Sequence, residues 1–353
     1  LKLFPAMNQH NLPRGTRRNV LLIHPGALGD VLLARPALQA LTQRFPQHEI
    51  AFLGGREVGL LLQACEEVHR VFPIESAYLS EVFAGVDHLS QVFLDWLEQT
   101  DMVVGWLSDT EGTATSTLRA VGVRSIQFQP ALSSNRHVSE HQSDRYCEAA
   151  RLESSGSLSA GFLALPSTIR GQGNQVLAAL DLEKHDQLVV IHPGSGSGRK
   201  CLESWRLVRV IEWMSAFGAA PLLLEGPADE KAVAAVLSGL THAVPVVRGM
   251  NVSVVAGVLS HAALYVGHDS GITHLAAALA VPTIACFGPT NPRRWAPRGT
   301  KVTIMTGPPC ACLTWRDVEG CGERACLQIT PERIIDASRA YLGERPSPRV
   351  EKS

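Results

Sequence analysis

The stretch Ala262-Ala-Leu-Tyr-Val-Gly-His-Asp-Ser-Gly-Ile-Thr-His-Leu-Ala-Ala-Ala-Leu-Ala280 decides the fold. Its apolar start, Ala262 to Val266, reads as a short buried strand, and Ile272 to Ala280 reads as a helix. Asp269-Ser270-Gly271 therefore falls at a strand-to-helix turn. Backbone N–H groups at a helix start have no intrahelical acceptor and carry the positive end of the helix dipole, so such a turn suits an anion. Gly271 lets a phosphate approach the main chain. An Asp/Ser N-cap on an ordinary helix is the plain alternative.

Working outward, Val281 to Phe287 is another buried-strand run, ending at the turn-rich Gly288-Pro289-Thr290-Asn291-Pro292. Two successive strand ends thus place polar loops at one edge of a parallel sheet, the edge at which open α/β sheets bind ligands. Upstream, Gln187 to Ile191 forms a strand, His192-Pro-Gly-Ser-Gly-Ser-Gly198 a loop with Arg199-Lys200 behind it, Ser204 to Phe217 a helix, and Pro221 to Leu224 a strand. The first part of the chain follows the same order: strand Asn19 to Ile23, loop His24 to Gly29, a helix from Asp30 to Arg44, and strand Glu49 to Leu53. Both openings carry the letters His-Pro-Gly. Leu152 to Gly173, rich in Ser and Gly, suits a linker. The expected architecture is α/β, with two doubly wound Rossmann-like domains facing each other across a cleft. Thr330 and Pro331 open a last helix that runs to Leu342.

The 353 residues suffice for two domains, and 45% hydrophobic with 18% charged residues describes a globular chain. Lys and Arg total 32 against 33 Asp and Glu, so no global charge draws the protein to nucleic acid. No apolar run reaches the ~18 residues of a membrane span, and Leu1 to Arg18 lacks the hydrophobic core of a signal peptide, so a cytoplasmic location is expected.

Individual residues carry the chemistry. Asp30 at the start of the first helix is either a general base facing the cleft or a helix cap. The Gly-rich 192–198 loop with Lys200 is a phosphate cradle or a surface loop; it is neither a Walker A nor a dinucleotide pattern, which argues against an oxidoreductase. Glu230, after a strand, could meet ribose hydroxyls, or it and Asp229 simply open a helix. Met250, in a loop, could pack on an adenine face, although core filler is the commoner role for methionine. Of eight Cys, four cluster at Cys310, Cys312, Cys321 and Cys326. Their spacing does not match paired Cys-x-x-Cys knuckles, so free thiols are expected, with a structural zinc as one alternative and a disulfide, unfavoured in a reducing compartment, as another.

The ordered set of Gly29-Asp30 with Pro36-Ala-Leu, His192-Pro-Gly-Ser with Lys200 and Trp205, Asp269-Ser-Gly-Ile-Thr-His274, and Phe287-Gly-Pro-Thr-Asn-Pro-x-Arg-Trp295 resembles glycosyltransferase family 9, the bacterial ADP-heptose:lipopolysaccharide heptosyltransferases. The resemblance spans about residues 19 to 342 and implies a GT-B fold. Its parts would be a tail at 1–18, an acceptor-binding domain at 19–165, a nucleotide-sugar-binding domain at 175–330, a closing helix at 331–342 that returns to the first domain, and a tail at 343–353. It implies that Asp30 is the base; that Lys200, Asp269, Ser270, Gly271, Ile272 and His274 surround the donor diphosphate; that Glu230 and Met250 meet the nucleoside; and that Ser195, Gly288, Pro289 and Thr290 sit on donor-side loops. Where the family places an aromatic-proline pair after the lysine, this chain has Lys200-Cys-Leu-Glu-Ser-Trp205.

The implied reaction is inverting transfer of a heptose from a nucleotide-sugar donor, an ADP-sugar by preference, to a lipopolysaccharide core or a related lipid-linked glycan. It would be carried out by a monomer in peripheral contact with the inner membrane. Asp-x-Asp is missing from these loops, so no divalent metal and no other cofactor is expected. The alternatives are a nucleotide-sugar epimerase on the same fold and a non-catalytic sugar-nucleotide binding protein. Arg56, Arg119, Arg124 and Arg136 are candidates for meeting acidic sugars, although surface solubility is the expectation for each.

Overall fold

A computed structural model describes residues 18–130, 140–150 and 161–343. Arg136, residues 152–160 of the expected linker, and both expected tails apart from Arg18 and Gly343 lie outside the described residues. The first half runs β1 (Asn19–His24), α1 (Leu28–Arg44), β2 (Glu49–Gly54), α2 (Arg56–Ala64), β3 (Arg70–Pro73), α3 (Tyr78–Ala84), α4 (Gln91–Leu97), β4 (Thr100–Gly105), α5 (Thr113–Ala120), β5 (Ser125–Phe128) and α6 (Gln142–Ala149). The second runs α7 (Ser167–Ala178), β6 (Leu188–His192), α8 (Ser204–Phe217), β7 (Ala220–Glu225), α9 (Glu230–Leu237), β8 (Val246–Arg248), α10 (Val252–Leu259), β9 (Leu264–His268), α11 (Gly271–Ala278), β10 (Thr283–Phe287), α12 (Pro292–Trp295), β11 (Val302–Thr306), α13 (Trp315–Gly320) and α14 (Pro331–Leu342).

Among the described residues these strands make two sheets, ordered β3-β2-β1-β4-β5 and β11-β10-β9-β6-β7-β8. Every pairing is parallel. Strands buried on both faces read as unbroken apolar runs rather than alternating ones, as β1 and β6 do. The strand order reverses between β1 and β4 in one sheet and between β6 and β9 in the other. Such switch points open a crevice at the carboxyl edge, and the loops after β1, β6 and β9 all emerge there.

The halves share apolar packing. α1 is buried along Val31–Leu38 and at Leu41, because its first sheet covers one side while α6 and α11 cover others. One continuous cluster joins Val20, Leu33 and Leu62 of the first half to Leu188, Tyr265 and Leu275 of the second. Polar ties add to it: Glu57 accepts the Val252 N–H at 3.0 Å, and Asp144 of α6 pairs with both terminal nitrogens of Arg298 at 2.7 and 2.5 Å.

Two expectations change here. The Gly-rich end of the expected linker is helical, since α7 begins at Ser167. Its glycine serves close packing: a Cβ on Gly173 would stand 2.1 Å from the Gly257 carbonyl carbon of α10. Gly173→Ala is therefore expected to destabilise the fold by ~1–3 kcal/mol, read as a lower denaturant midpoint with an unchanged slope. The second concerns α14. It stays with its own half, against α8, β9 and β10, because Ile334 and Leu342 complete the second apolar core. Among the described residues, α6 and residues 161–165 make the return contact instead, with the Leu163 N–H on Ala278 O at 2.6 Å and the His141 Nε2 on Ala296 O at 2.9 Å.

Candidate active site

Asp30 lies at the third position of α1, not at its N-cap. The cap is Ala27, which has no side-chain acceptor to offer. The Asp30 carboxylate reaches back to the Ala27 N–H, half of a capping box. Burial raises its pKa above the ordinary carboxylate value; the Ala27 N–H opposes this, the negative charge of Asp269 adds to it, and the charge of Lys200 opposes it. A half-buried acid that senses a carboxylate and an ammonium from the other half sits in the cleft, as a general base there must. Gly26 makes the space: a Cβ on it would stand 2.6 Å from the His24 ring and 3.0 Å from the Asp30 Cβ.

His24 closes β1. Its Nδ1 accepts the Gly26 N–H at 3.1 Å, and its ring rests on Trp106 and Tyr146 with centroids 5.3 and 5.1 Å away. The matching His-Pro-Gly after β6 works differently. His192 Nε2 meets the Asp229 carboxylate at 2.8 Å, and its Nδ1 lies 3.3 Å from the Ser270 hydroxyl. Gly194 is required because a Cβ there would fall 1.7 Å from an Asp229 oxygen. Ser195 then donates to the Asp269 carbonyl at 2.6 Å. The motif thus ties the loops after β6, β7 and β9 into one unit.

The α11 start is held from below as well as beside. Ser270 is its N-cap, accepting from the Thr273 N–H at 3.4 Å. The Thr273 hydroxyl donates to the His268 carbonyl and meets the buried Tyr265 hydroxyl at 3.0 Å. Gly267 keeps Tyr265 in place, since a Cβ on it would stand 2.3 Å from that hydroxyl. The first α11 amides, Gly271 and Ile272, are left without intrahelical acceptors. Lys200 stands beside them, its Nζ 2.8 Å from Asp269 Oδ2.

The two halves meet at two glycines. A Cβ on Gly29 would stand 3.0 Å from His274 and 3.4 Å from the Gly271 Cα, and one on Gly271 would stand 3.0 Å from Leu28 and 3.2 Å from the Gly29 N. The α1 and α11 N-termini therefore face each other at close range, which places Asp30 opposite the α11 start. His274, buried in α11, also lines a cavity of about 250 Å³ bounded by α1, α11 and residues 297–302.

The structure thus brings together Asp30, Ser195, Lys200, Asp269, Ser270, Gly271 and His274. Ile272 supplies the adjacent amide. Glu230 and Met250 stand apart, exposed at the α9 start and beyond β8. Gly288 and Pro289 pack toward Leu327 and the Cys310 loop, and Thr290 is half-buried beside them. Trp205 is exposed, and its Nε1 donates to the Glu203 carboxylate at 3.1 Å. Arg56, Arg119 and Arg124 lie on the surface. Sequence reasoning missed Asp229 and His192 as a buried pair, and also Tyr265, His268 and Thr273. The repeated His-Pro-Gly was the available signal.

Burial holds His24, His268 and His274 neutral, lowering each from 6.5 to about 4. His268 fits this state by accepting the Leu202 N–H at Nε2. Folded values below the unfolded one mean that the unfolded chain binds these protons more tightly. Their contribution is complete above about 6.5 and is lost as pH falls toward 4. At ~1.4 kcal/mol per unit, urea unfolding should show several kcal/mol less stability near the lower value than at neutral pH.

Comparison with known proteins bears on the family and the fold. A family model described as Glycosyltransferase family 9 (heptosyltransferase) matches residues 87–319. Lipopolysaccharide heptosyltransferase 3 of Escherichia coli is 24% identical over 291 residues, covering 76% of this chain and 83% of that protein. Two solved structures share the fold. A glycosyl transferase family 9 protein from Veillonella parvula has a TM-score of 0.74 at 17% identity, covering 94% of this chain and 99% of that one. The E. coli ADP-heptose lps heptosyltransferase II has a TM-score of 0.72 at 16% identity, covering 92% and 98%. The two parallel sheets are the two Rossmann-like domains of a GT-B fold.

Proposed function

We propose, for a chain that belongs to glycosyltransferase family 9, that it transfers a heptose from ADP-heptose onto a lipopolysaccharide core sugar with inversion at the anomeric carbon. The observation that carries this reading is the placement of Asp30 against the Lys200–Asp269 pair and the α11 N-terminus. Asp30 takes the proton of an acceptor hydroxyl as its oxygen bonds to the anomeric carbon. The bond from that carbon to the diphosphate breaks, and the electron pair leaves with ADP. The new charge on the diphosphate is met by Lys200 and by the Gly271 and Ile272 amides, donors fixed before the reaction begins. Asp269 orients Lys200 rather than touching phosphate, since a carboxylate repels it. The Asp229–His192–Ser270 chain holds the helix start still.

The nucleoside lies over the carboxyl ends of β7 and β8, where Glu230 and Met250 stand exposed and ready to be covered. The lipid-linked acceptor enters from the first half. Among the described residues no helix is long and apolar enough to cross a membrane. In this proposal the cleft mouth meets the acceptor at the inner membrane face.

A thermal-shift screen of ADP, UDP, GDP and CDP, then of their sugar conjugates, tests the donor. Ligand at 100 times its dissociation constant stabilises the fold by ~2.7 kcal/mol, so ADP and ADP-heptose should raise the melting temperature most. A clear preference for UDP would move the donor away from heptose.

A further inference from the structure

Outside this site, the described residues contain one group of three or more potential metal ligands: Cys310, Cys312 and Cys321, whose sulfurs lie within 4.8 Å of one another. Cys310 Sγ is 3.0 Å from Cys312 Sγ and 3.9 Å from Cys321 Sγ. Cys326 contacts the Cys310 thiol and lines, with the other three, a cavity of about 10 Å³. Four sulfurs tetrahedral about zinc, each ~2.3 Å from the ion, stand ~3.8 Å apart. The two separations from Cys310 bracket that value, so small rotamer adjustments bring these three sulfurs onto it, and Cys326 on the same cavity is the fourth thiol within reach.

The surroundings suit thiolates. Arg324 takes a left-handed conformation, φ +47°, and its N–H points at Cys321 Sγ at 3.4 Å. Such N–H to sulfur bonds orient and stabilise metal-bound thiolates. Arg199 and Arg324 also line the cavity, offsetting the negative charge that four thiolates and one divalent ion leave. The same arginines tie this loop to the donor side: Arg199 bonds the Cys321 carbonyl at 3.2 Å, and the Arg324 guanidinium reaches the carbonyls of Gly198 and Cys201, on either side of Lys200.

We propose that Cys310, Cys312, Cys321 and Cys326 form a tetrathiolate site for one divalent thiophilic metal, zinc by its chemistry, that pins residues 307–328 against the turn carrying Lys200. Binding replaces four S–H bonds with four metal–sulfur bonds and releases four protons. The site stands on the thiols alone; its effect on donor binding rests in addition on the role proposed for Lys200.

The test uses the whole chain purified under reductant. Metal analysis is expected to give about one zinc or iron per chain. Protein stripped of metal and given cobalt should show sulfur-to-cobalt charge-transfer bands and tetrahedral visible bands. The Cys312→Ser, Cys321→Ser double variant should lose both signals and melt at lower temperature. Because that variant could fail to fold, the cobalt spectrum of the unaltered chain decides independently. Four freely titrating thiols without cobalt bands, or a disulfide within the cluster in the freshly isolated protein, overturns the site. In the folded variant the donor KM should rise several-fold. Metal loss with an unchanged donor KM removes the link to Lys200 and leaves the metal site standing.

Discussion

Asp30→Asn is expected to lower kcat by ~10²–10⁴-fold while leaving donor binding and the fold intact. Asparagine keeps the size of the side chain, and its amide oxygen still accepts the Ala27 N–H, so the α1 start survives; what is lost is the ability to take a proton. The pH profile separates this from a structural effect. Burial raises the Asp30 pKa, and the base works only when ionised, so kcat/KM should fall as pH drops through that raised value. In Asp30→Asn this acid limb should disappear from the residual activity. A variant that keeps full turnover would place the base elsewhere.

Lys200→Met is expected to cost ~10²–10³-fold in kcat, the scale of removing one preorganised donor to developing charge, and to weaken donor binding as well. The partner residue gives this prediction a second edge. Lys200 neutralises Asp269, whose side chain is only 9% exposed. With Lys200 gone, the Asp269 carboxylate faces the diphosphate uncompensated, and repulsion adds to the loss. Asp269→Asn in the Lys200→Met background should therefore bind ADP more tightly than Lys200→Met alone. If the double variant binds ADP no better than Lys200→Met, the two residues do not work as a pair.

Much of this was legible in the sequence because it is local. The strand-loop-helix order, the turn at Asp269-Ser270-Gly271 and the bounds of α8 and α14 follow from apolar runs and turn residues within a dozen positions. Asp30 was legible as a candidate, though not its place inside the helix, since Ala27 gives no capping signal. The pair of His192 and Asp229 was not. Those residues are 37 apart and meet because β6 and β7 run in parallel, bringing their carboxyl ends side by side. Asp229 and Glu230 look alike as helix openers, and only burial tells the inward carboxylate from the exposed one. Gly173 reads as linker flexibility for a similar reason: the helix it packs against lies some eighty residues downstream. The four cysteines are clustered in sequence, but their spacing hides how the chain gathers the sulfurs of Cys310, Cys312 and Cys321, with Cys326 on the same small cavity.

The most direct test of the central claim, that the two halves supply base and leaving-group site for sugar transfer, is product analysis by mass spectrometry. The protein is given ADP-heptose with and without a heptose-deficient lipopolysaccharide core. The account predicts acceptor gaining one heptose with matching release of ADP, dependent on acceptor and abolished in Asp30→Asn. Conversion of ADP-heptose to an isomer without acceptor, or transfer undiminished in Asp30→Asn, would contradict it.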